Sequence, residues 1–168
     1  MKIARLLLSK TAITALIIIA GLIAFNSLSF KLETEKLAAF NDWYPKTQTI
    51  LQSENTETAS KSKLQVTLRL QRKEQTLSWT FPTQSLAAPE DRERTSRVLQ
   101  LISESKVFGL PSSKGEEYLS IGISDESTSF STTVSGDAIK DNIQLQNLLK
   151  LLEVYSNTPT QPVNPAQL

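Results

Sequence analysis

The chain of 168 residues contains no cysteine and no histidine. Without cysteine it can form no disulfide, no thiol nucleophile and no cysteine-ligated zinc site. Without histidine it lacks the usual general base at neutral pH and the commonest metal ligand, and a Ser-His-Asp triad is impossible. The five glycines form no phosphate-binding loop. We therefore predict a protein that is not an enzyme and uses no cofactor or metal; a hydrolase built on carboxylate, lysine, tyrosine or serine chemistry is the weak alternative.

Charge excludes a further class of function. The formal net charge is +1, and the charged residues of both signs are nearly equal in number. Lys2, Arg5 and Lys10 precede the first acidic residue, and all 17 acidic residues lie after position 30. The part of the chain after residue 30 is therefore close to neutral and shows no basic footprint for nucleic acid.

Residues 11–30 form a run of twenty residues without a charged side chain. As a helix this run would be about 30 Å long, enough to cross a bilayer. The three basic residues before it favour a cytoplasmic N-terminus, so we predict that residues 31–168 are exported. The segment 1–30 is either a signal anchor or a signal peptide cleaved near Ser29. A signal anchor would give a single-pass protein of a bacterial inner membrane, with its C-terminal domain in the periplasm or outside the cell. A cleaved signal peptide would give a secreted protein.

Residues 31–62 are predicted to be a juxtamembrane helix followed by a flexible linker. Leu37, Phe40 and Tyr44 recur at helical spacing, and Pro45 is expected to end the helix. This helix either lies in the membrane interface through its aromatic residues or packs on the following domain. Residues 53–62 have almost no apolar side chain, as is typical of a linker. Residues 157–168 contain three prolines without an apolar pattern and predict a disordered tail.

The globular domain is predicted to be residues 63–156. Apolar residues alternate with polar ones in four segments, which indicates half-buried strands, and a helical pattern follows each pair of segments. The strand patterns cover residues 64–70, 77–81, 119–123 and 130–134, and the helical patterns cover 89–108 and 143–155. We predict an α+β fold of order ββαββα, with a four-stranded antiparallel sheet covered on one face by two helices. Trp79 is expected in the core.

Three groups of acidic residues are the remaining candidates for chemistry. Glu90, Asp91 and Glu93 stand among arginines after Pro89, which is typical of a solvated first helical turn near the positive end of the helix dipole. Residues 116–117 and 125–126 flank the third strand and could meet a cation, although the ends of hairpins are commonly acidic. None of these groups predicts a specific reaction.

The segments SLAAPEDRERTSRVLQLISESKVFGLP, EYLSIGISDESTSFSTTVSGD and IQLQNLLKLLEVY together resemble the emfourin family over residues 63–156. The shared features are Pro-Glu before a helix that ends in Phe-x-Leu-Pro, a strand that begins with tyrosine, a short acidic turn and a leucine-rich closing helix. The resemblance implies a small inhibitor of thermolysin-like metalloproteases of the protealysin type, and hence a protease partner. This chain departs from that pattern by its membrane segment and its long spacer.

If the domain occludes a protease cleft, an exposed element must enter that cleft. The first candidate is loop 109–116, in which Gly109 and Gly115 would allow bending and Pro111 would give rigidity; its binding residues are predicted to be Pro111, Ser112, Ser113, Lys114 and Gly115. The second is the turn with Asp125 and Glu126. The two lie at opposite ends of the third strand, about 20–25 Å apart by strand rise. The loop is favoured, because a rigid loop loses less entropy on binding.

Two functions therefore remain open. The first is a non-catalytic exported binding module that inhibits a thermolysin-like metalloprotease. The alternative is a membrane-anchored accessory subunit of a bacterial envelope assembly for secretion or division. Both predict a protein partner and attachment to the membrane through residues 11–30, and neither involves nucleic acid.

Overall fold

A computed structural model of the protein describes residues 2–53 and 62–157, with side chains from Thr14 onward except those of Leu16, Asn26 and Asn157. The predicted linker, apart from its ends, and the predicted proline-rich tail, apart from Asn157, lie outside the described residues.

The first element is one long helix, α1 (Lys2–Gln52). Among the described residues, α1 is the one helix long and apolar enough to cross a membrane, judged by length and composition. The large apolar side chains that the structure describes before its midpoint, and Phe30 just after it, are exposed: Phe25 and Phe30 are 68% and 70% exposed. Its second half is different, because Phe40 and Leu51 are buried in the domain core.

The prediction that the helix ends at Pro45 is wrong. A proline inside a helix removes the hydrogen bond to the carbonyl four residues earlier, yet α1 continues for seven residues beyond it. Tertiary contacts compensate for this loss. The Gln48 amide donates to the carbonyl of Ser96 at 3.0 Å and accepts from the Ser96 hydroxyl at 2.7 Å, and Leu51 is buried. The last turns of α1 are thus held by the domain against which they pack.

Four strands form one antiparallel sheet in the spatial order β2-β1-β3-β4. The strands are β1 (Gln65–Arg72), β2 (Gln75–Phe81), β3 (Glu117–Ser124) and β4 (Ser129–Ser135). The pairing of β1 with β2 and of β3 with β4 confirms the two hairpins that the alternating pattern indicates. The central pair joins β1 to β3, with Leu68 opposite Ile121.

The remaining helices follow the two hairpins. They are α2 (Pro89–Ser105), a 3₁₀ turn (Val107–Gly109), α3 (Gly136–Lys140) and α4 (Ile143–Asn157). The α+β class and the four-stranded antiparallel sheet are confirmed. The exact order ββαββα is not confirmed, because the 3₁₀ turn and α3 also occur within it. The two expected helices, α2 and α4, contribute to the core, and the second half of α1 joins them in covering the sheet. The second half of α1 lies beside α2 and brings Phe40 onto the ring of Phe130 in β4, at 5.4 Å between ring centroids.

The core lies between one face of the sheet and this helical layer. The alternating apolar residues of β1, β3 and β4 point into it, together with Phe81 of β2. Burial is less complete toward β2: Leu77 is 46% exposed, and Trp79 is half-buried with its indole N–H donating to the hydroxyl of Ser156 at 2.7 Å. Trp79 therefore packs against the core as expected, but at its margin.

Candidate functional site

Loop 109–116 lies along the outer edge of β4, beside α1. Its residues from Pro111 to Glu116 are exposed. Two backbone amides hold it in place: the N–H of Ser113 donates to the carbonyl of Thr133 at 2.9 Å, and the N–H of Ser112 donates to a carboxylate oxygen of Glu33 at 3.3 Å. The loop is thus an exposed segment that is fixed at two points, one on the sheet and one on the long helix.

The glycines of this loop have ordinary backbone conformations. Neither adopts a positive φ, so their backbone angles do not themselves require glycine. A Cβ atom on Gly109 would lie 2.8 Å from a methyl group of Leu37, so this glycine allows α1 to approach the 3₁₀ turn closely. At the other end of the loop, the ammonium of Lys114 lies 5.5 Å from the centroid of the Tyr118 ring, which is within the range of a cation–π interaction.

The β3–β4 turn is built around the carboxylate of Asp125. One oxygen accepts from the backbone N–H groups of Ser127 and Thr128, each at 2.8 Å, and the other accepts from the indole N–H of Trp43 at 2.6 Å. Burial by itself would raise the pKa of Asp125, but these hydrogen bonds outweigh it and the pKa lies below its ordinary value. Because both oxygens are already used, Asp125 ties the turn to α1 and is poorly placed to approach a second molecule.

Glu126 is the more accessible of the two predicted turn residues. Its carboxylate lies 3.4 Å from the ammonium of Lys63, and both side chains are mostly exposed. Exposed pairs of this kind contribute about 0–1 kcal/mol. A binding partner could therefore displace Lys63 from Glu126 at little cost in stability.

The structure places the loop and the turn at opposite ends of β3, because one precedes the strand and the other follows it. Both contact α1, at Glu33 and Trp43 respectively. These two positions are ten residues apart, which corresponds to about 15 Å of helical rise. Sequence reasoning missed this contribution of α1, since no local pattern pairs Trp43 with a carboxylate 82 positions away.

Asp91 also differs from its interpretation as part of a solvated acidic turn. Its side chain is 5% exposed, and it accepts hydrogen bonds from the hydroxyl of Thr83 at 2.6 Å and from the backbone N–H groups of Gln84 and Ser85 at 2.9 and 3.1 Å. The interpretation is wrong for this residue because the first turn of α2 folds against the preceding loop. Glu90, one position earlier, remains exposed.

Within the described residues no group of three or more acidic side chains lies close enough to hold a metal ion. The geometry of the loop and the turn can serve in binding through shape, hydrogen bonds and charge. Comparisons of the chain with protein-family models, with curated proteins and with solved structures found no match.

Proposed function

We propose that the protein is a single-pass, membrane-anchored accessory subunit of a bacterial envelope assembly, whose exported domain binds another protein without catalysis. The observation that carries the proposal is the continuity of α1. The same helix has exposed apolar side chains up to Leu32 and a fully buried Phe40 only eight residues later. An apolar segment and a folded domain that share one helix have no flexible tether between them.

This continuity fixes the position of the domain relative to the membrane in the proposed topology. The first domain contacts of α1 are made by Glu33 and Leu37, about 5–10 Å of helical rise beyond Phe30. Loop 109–116 would therefore lie near the bilayer surface. The β3–β4 turn, held by Trp43, would lie about 20 Å from it. A domain held at one height and orientation suits a subunit whose partners are themselves fixed in the same membrane.

The topology is tested with reporter fusions to the C-terminus of the full chain. We expect an alkaline phosphatase fusion to be active and to sediment with the membrane fraction, because the basic residues precede the apolar run. A cytoplasmic reporter fused at the same position is the matched control and should be inactive. The reverse pattern would overturn the orientation. Amino-terminal sequencing that begins at Phe30 would replace the anchor by a cleaved signal peptide and contradict the fixed geometry.

The second candidate function is inhibition of a thermolysin-like metalloprotease. Two observations support it: the resemblance over residues 63–156, and the anchoring of loop 109–116 at Ser112 and Ser113. A loop already held in one conformation loses less entropy when it enters a cleft. In this function residues 111–115 would occlude the cleft, and Glu126 marks the alternative surface at the other end of β3.

This candidate predicts that the purified full chain inhibits such a protease at micromolar concentration. Replacing residues 112–115 with a Gly-Ser sequence should weaken inhibition at least tenfold, because it removes the ordered loop. Glu126→Ala is the matched control at the opposite end of the sheet and should inhibit like the unchanged protein. Absence of inhibition by the unchanged protein would remove this function, and weakening only by Glu126→Ala would move the surface to the turn.

A further inference from the structure

The face of the sheet opposite the core carries a shallow groove with a volume of about 450 Å³. Its lining includes Lys36, Thr67, Arg69, Ser120, Gly122 and Ser131. We infer that this open-face groove binds an acidic oligosaccharide, that is, a sugar chain that bears carboxylate or phosphate groups. The lining reaches one residue of loop 109–116, Ser112, and does not include Glu126. The proposal does not depend on protease inhibition.

The composition of the open face is the first argument. Its strand positions are exposed or half-buried, and they are dominated by hydroxyl and amide side chains. These positions are Gln65, Thr67, Arg69, Gln71, Thr76, Ser78, Thr80, Tyr118, Ser120, Gly122, Ser124, Ser129, Ser131, Thr133 and Ser135. None is acidic and one is aromatic. Serine and threonine hydroxyls both donate and accept hydrogen bonds, as the hydroxyls of a sugar do.

The charges on the groove are the second argument. Arg69 projects from the central strand β1 and is exposed, and its guanidinium group makes no hydrogen bond or ion pair with any other described residue. Lys36 reaches the opposite side from α1, where its ammonium donates to the carbonyl of Ser131 at 3.1 Å. The described lining includes no acidic residue, and the carboxylate of Glu33, three positions before Lys36, accepts from the backbone N–H of Ser112. Cations without a carboxylate partner in the groove complement an anionic ligand.

The spacing across the sheet suits an extended ligand. Arg69 lies on β1 opposite Ser120 of β3, and Ser120 lies opposite Thr133 of β4. Two strand spacings separate β1 from β4, which amounts to about 10 Å. Gly122 lies between the two cations. A Cβ placed there would meet its nearest neighbour, the carbonyl oxygen of Thr67, only at 3.9 Å, so the missing side chain leaves open space above the middle strand.

Other classes of ligand fit this groove less well. Small-molecule and cofactor sites are lined mainly by apolar and aromatic side chains, whereas these strand positions carry mostly serine and threonine. Single-stranded nucleic acid is bound on several exposed aromatic rings along a basic track. Here the one aromatic ring, Tyr118, already has the ammonium of Lys114 above it.

The test is calorimetric titration of the full chain in non-ionic detergent micelles with tetragalacturonic acid as the probe. We expect saturable binding. The neutral maltotetraose, which has hydroxyls but no charge, should bind at least tenfold more weakly. Inorganic phosphate at equal ionic strength should also bind at least tenfold more weakly, because it lacks the sugar hydroxyls. Equal affinity for maltotetraose, equal affinity for phosphate, or no binding of the acidic probe would each overturn the proposal.

Four variants locate the site. Arg69→Gln should weaken binding at least tenfold, whereas Arg72→Gln, the same exchange at the end of the same strand, should change it less than twofold. Gly122→Val fills the groove and should abolish binding while leaving the thermal midpoint unchanged or higher, because valine favours strands. If that variant is less stable, Gly122→Ala adds a single methyl group at ordinary contact distance and should weaken binding threefold or more. The proposal that the ligand binds to this face would be overturned if Arg69→Gln and the folded Gly122 variant both bind the acidic probe with unchanged affinity.

Discussion

Replacing Phe40 by alanine is expected to lower the free energy of unfolding by about 3–5 kcal/mol, the usual cost of removing a buried aromatic side chain. Phe40 is 1% exposed, and its ring lies 4.7 Å from that of Phe108 and 5.4 Å from that of Phe130, measured between centroids. Its loss would leave a cavity where α1, the 3₁₀ turn and β4 meet. Denaturant titration of the full chain in detergent micelles, followed by tryptophan fluorescence, measures the change because both tryptophans lie in the domain.

Phe30→Ala is the matched control for this experiment. It removes the same side chain from the same helix ten positions earlier, where the ring is 70% exposed and outside the core. We expect its effect on domain stability to stay within about 0.5 kcal/mol. Equal effects of the two substitutions, or a loss below about 1 kcal/mol for Phe40→Ala, would mean that the second half of α1 is not part of the domain core.

The position of Phe40 bears on where the domain begins. The domain boundary at residue 63 stays a prediction. A fragment that starts at residue 63 lacks Phe40 and Leu51. It would therefore expose the surfaces of α2 and β4 that those two residues cover. By the same reasoning, such a fragment is expected to lose more stability than the Phe40→Ala variant. The packing favours a folded unit that starts near Glu33, where α1 first contacts the loop.

The sheet was predictable from the sequence because each strand records its own environment. In β3, buried Leu119, Ile121 and Ile123 alternate with less buried neighbours, so period two is visible within a single segment. The second half of α1 could not be assigned in the same way. Its apolar residues are compatible with either a membrane interface or a protein core, and Pro45 suggests an end that tertiary contacts override.

The candidate site was predictable only in outline. That loop 109–116 and the β3–β4 turn are exposed and lie at opposite ends of β3 follows from composition and strand order. The roles of single residues depend on distant partners: Asp125 is occupied by Trp43, and Gly109 is required by Leu37. The residues adjacent to each partner carry no local signal for such pairs.

The same dependence on distant partners makes Asp91 a determinant of stability. Burial by itself would raise the pKa of Asp91, but the hydrogen bonds from Thr83, Gln84 and Ser85 outweigh it and lower the pKa. An aspartate with a lowered pKa in the folded state stabilises the protein above its unfolded pKa of about 3.9. That contribution is lost as the pH falls through the lowered folded value. The protein should therefore lose stability below about pH 4, with Asp91 and Asp125 both contributing.

Asp91→Ala is accordingly expected to lower the free energy of unfolding at pH 7 by about 2–4 kcal/mol, because it leaves the donors of the 83–85 loop without their acceptor. Glu90→Ala is the matched control: it removes a carboxylate from the same helical turn, but one that is exposed and only weakly paired with Arg94 at 3.9 Å, so its effect should stay within about 0.5 kcal/mol. Denaturant titrations at pH 7 give the free energy of unfolding of each variant.

The same titrations repeated at pH 3 test the pH dependence. The free energy of unfolding should fall less between pH 7 and pH 3 in the Asp91→Ala variant than in the unchanged protein, because the stabilisation that Asp91 loses on protonation is already absent. An unaltered pH dependence, or equal losses in the two variants at pH 7, would show that Asp91 acts as a solvated carboxylate of the first helical turn and does not hold the preceding loop.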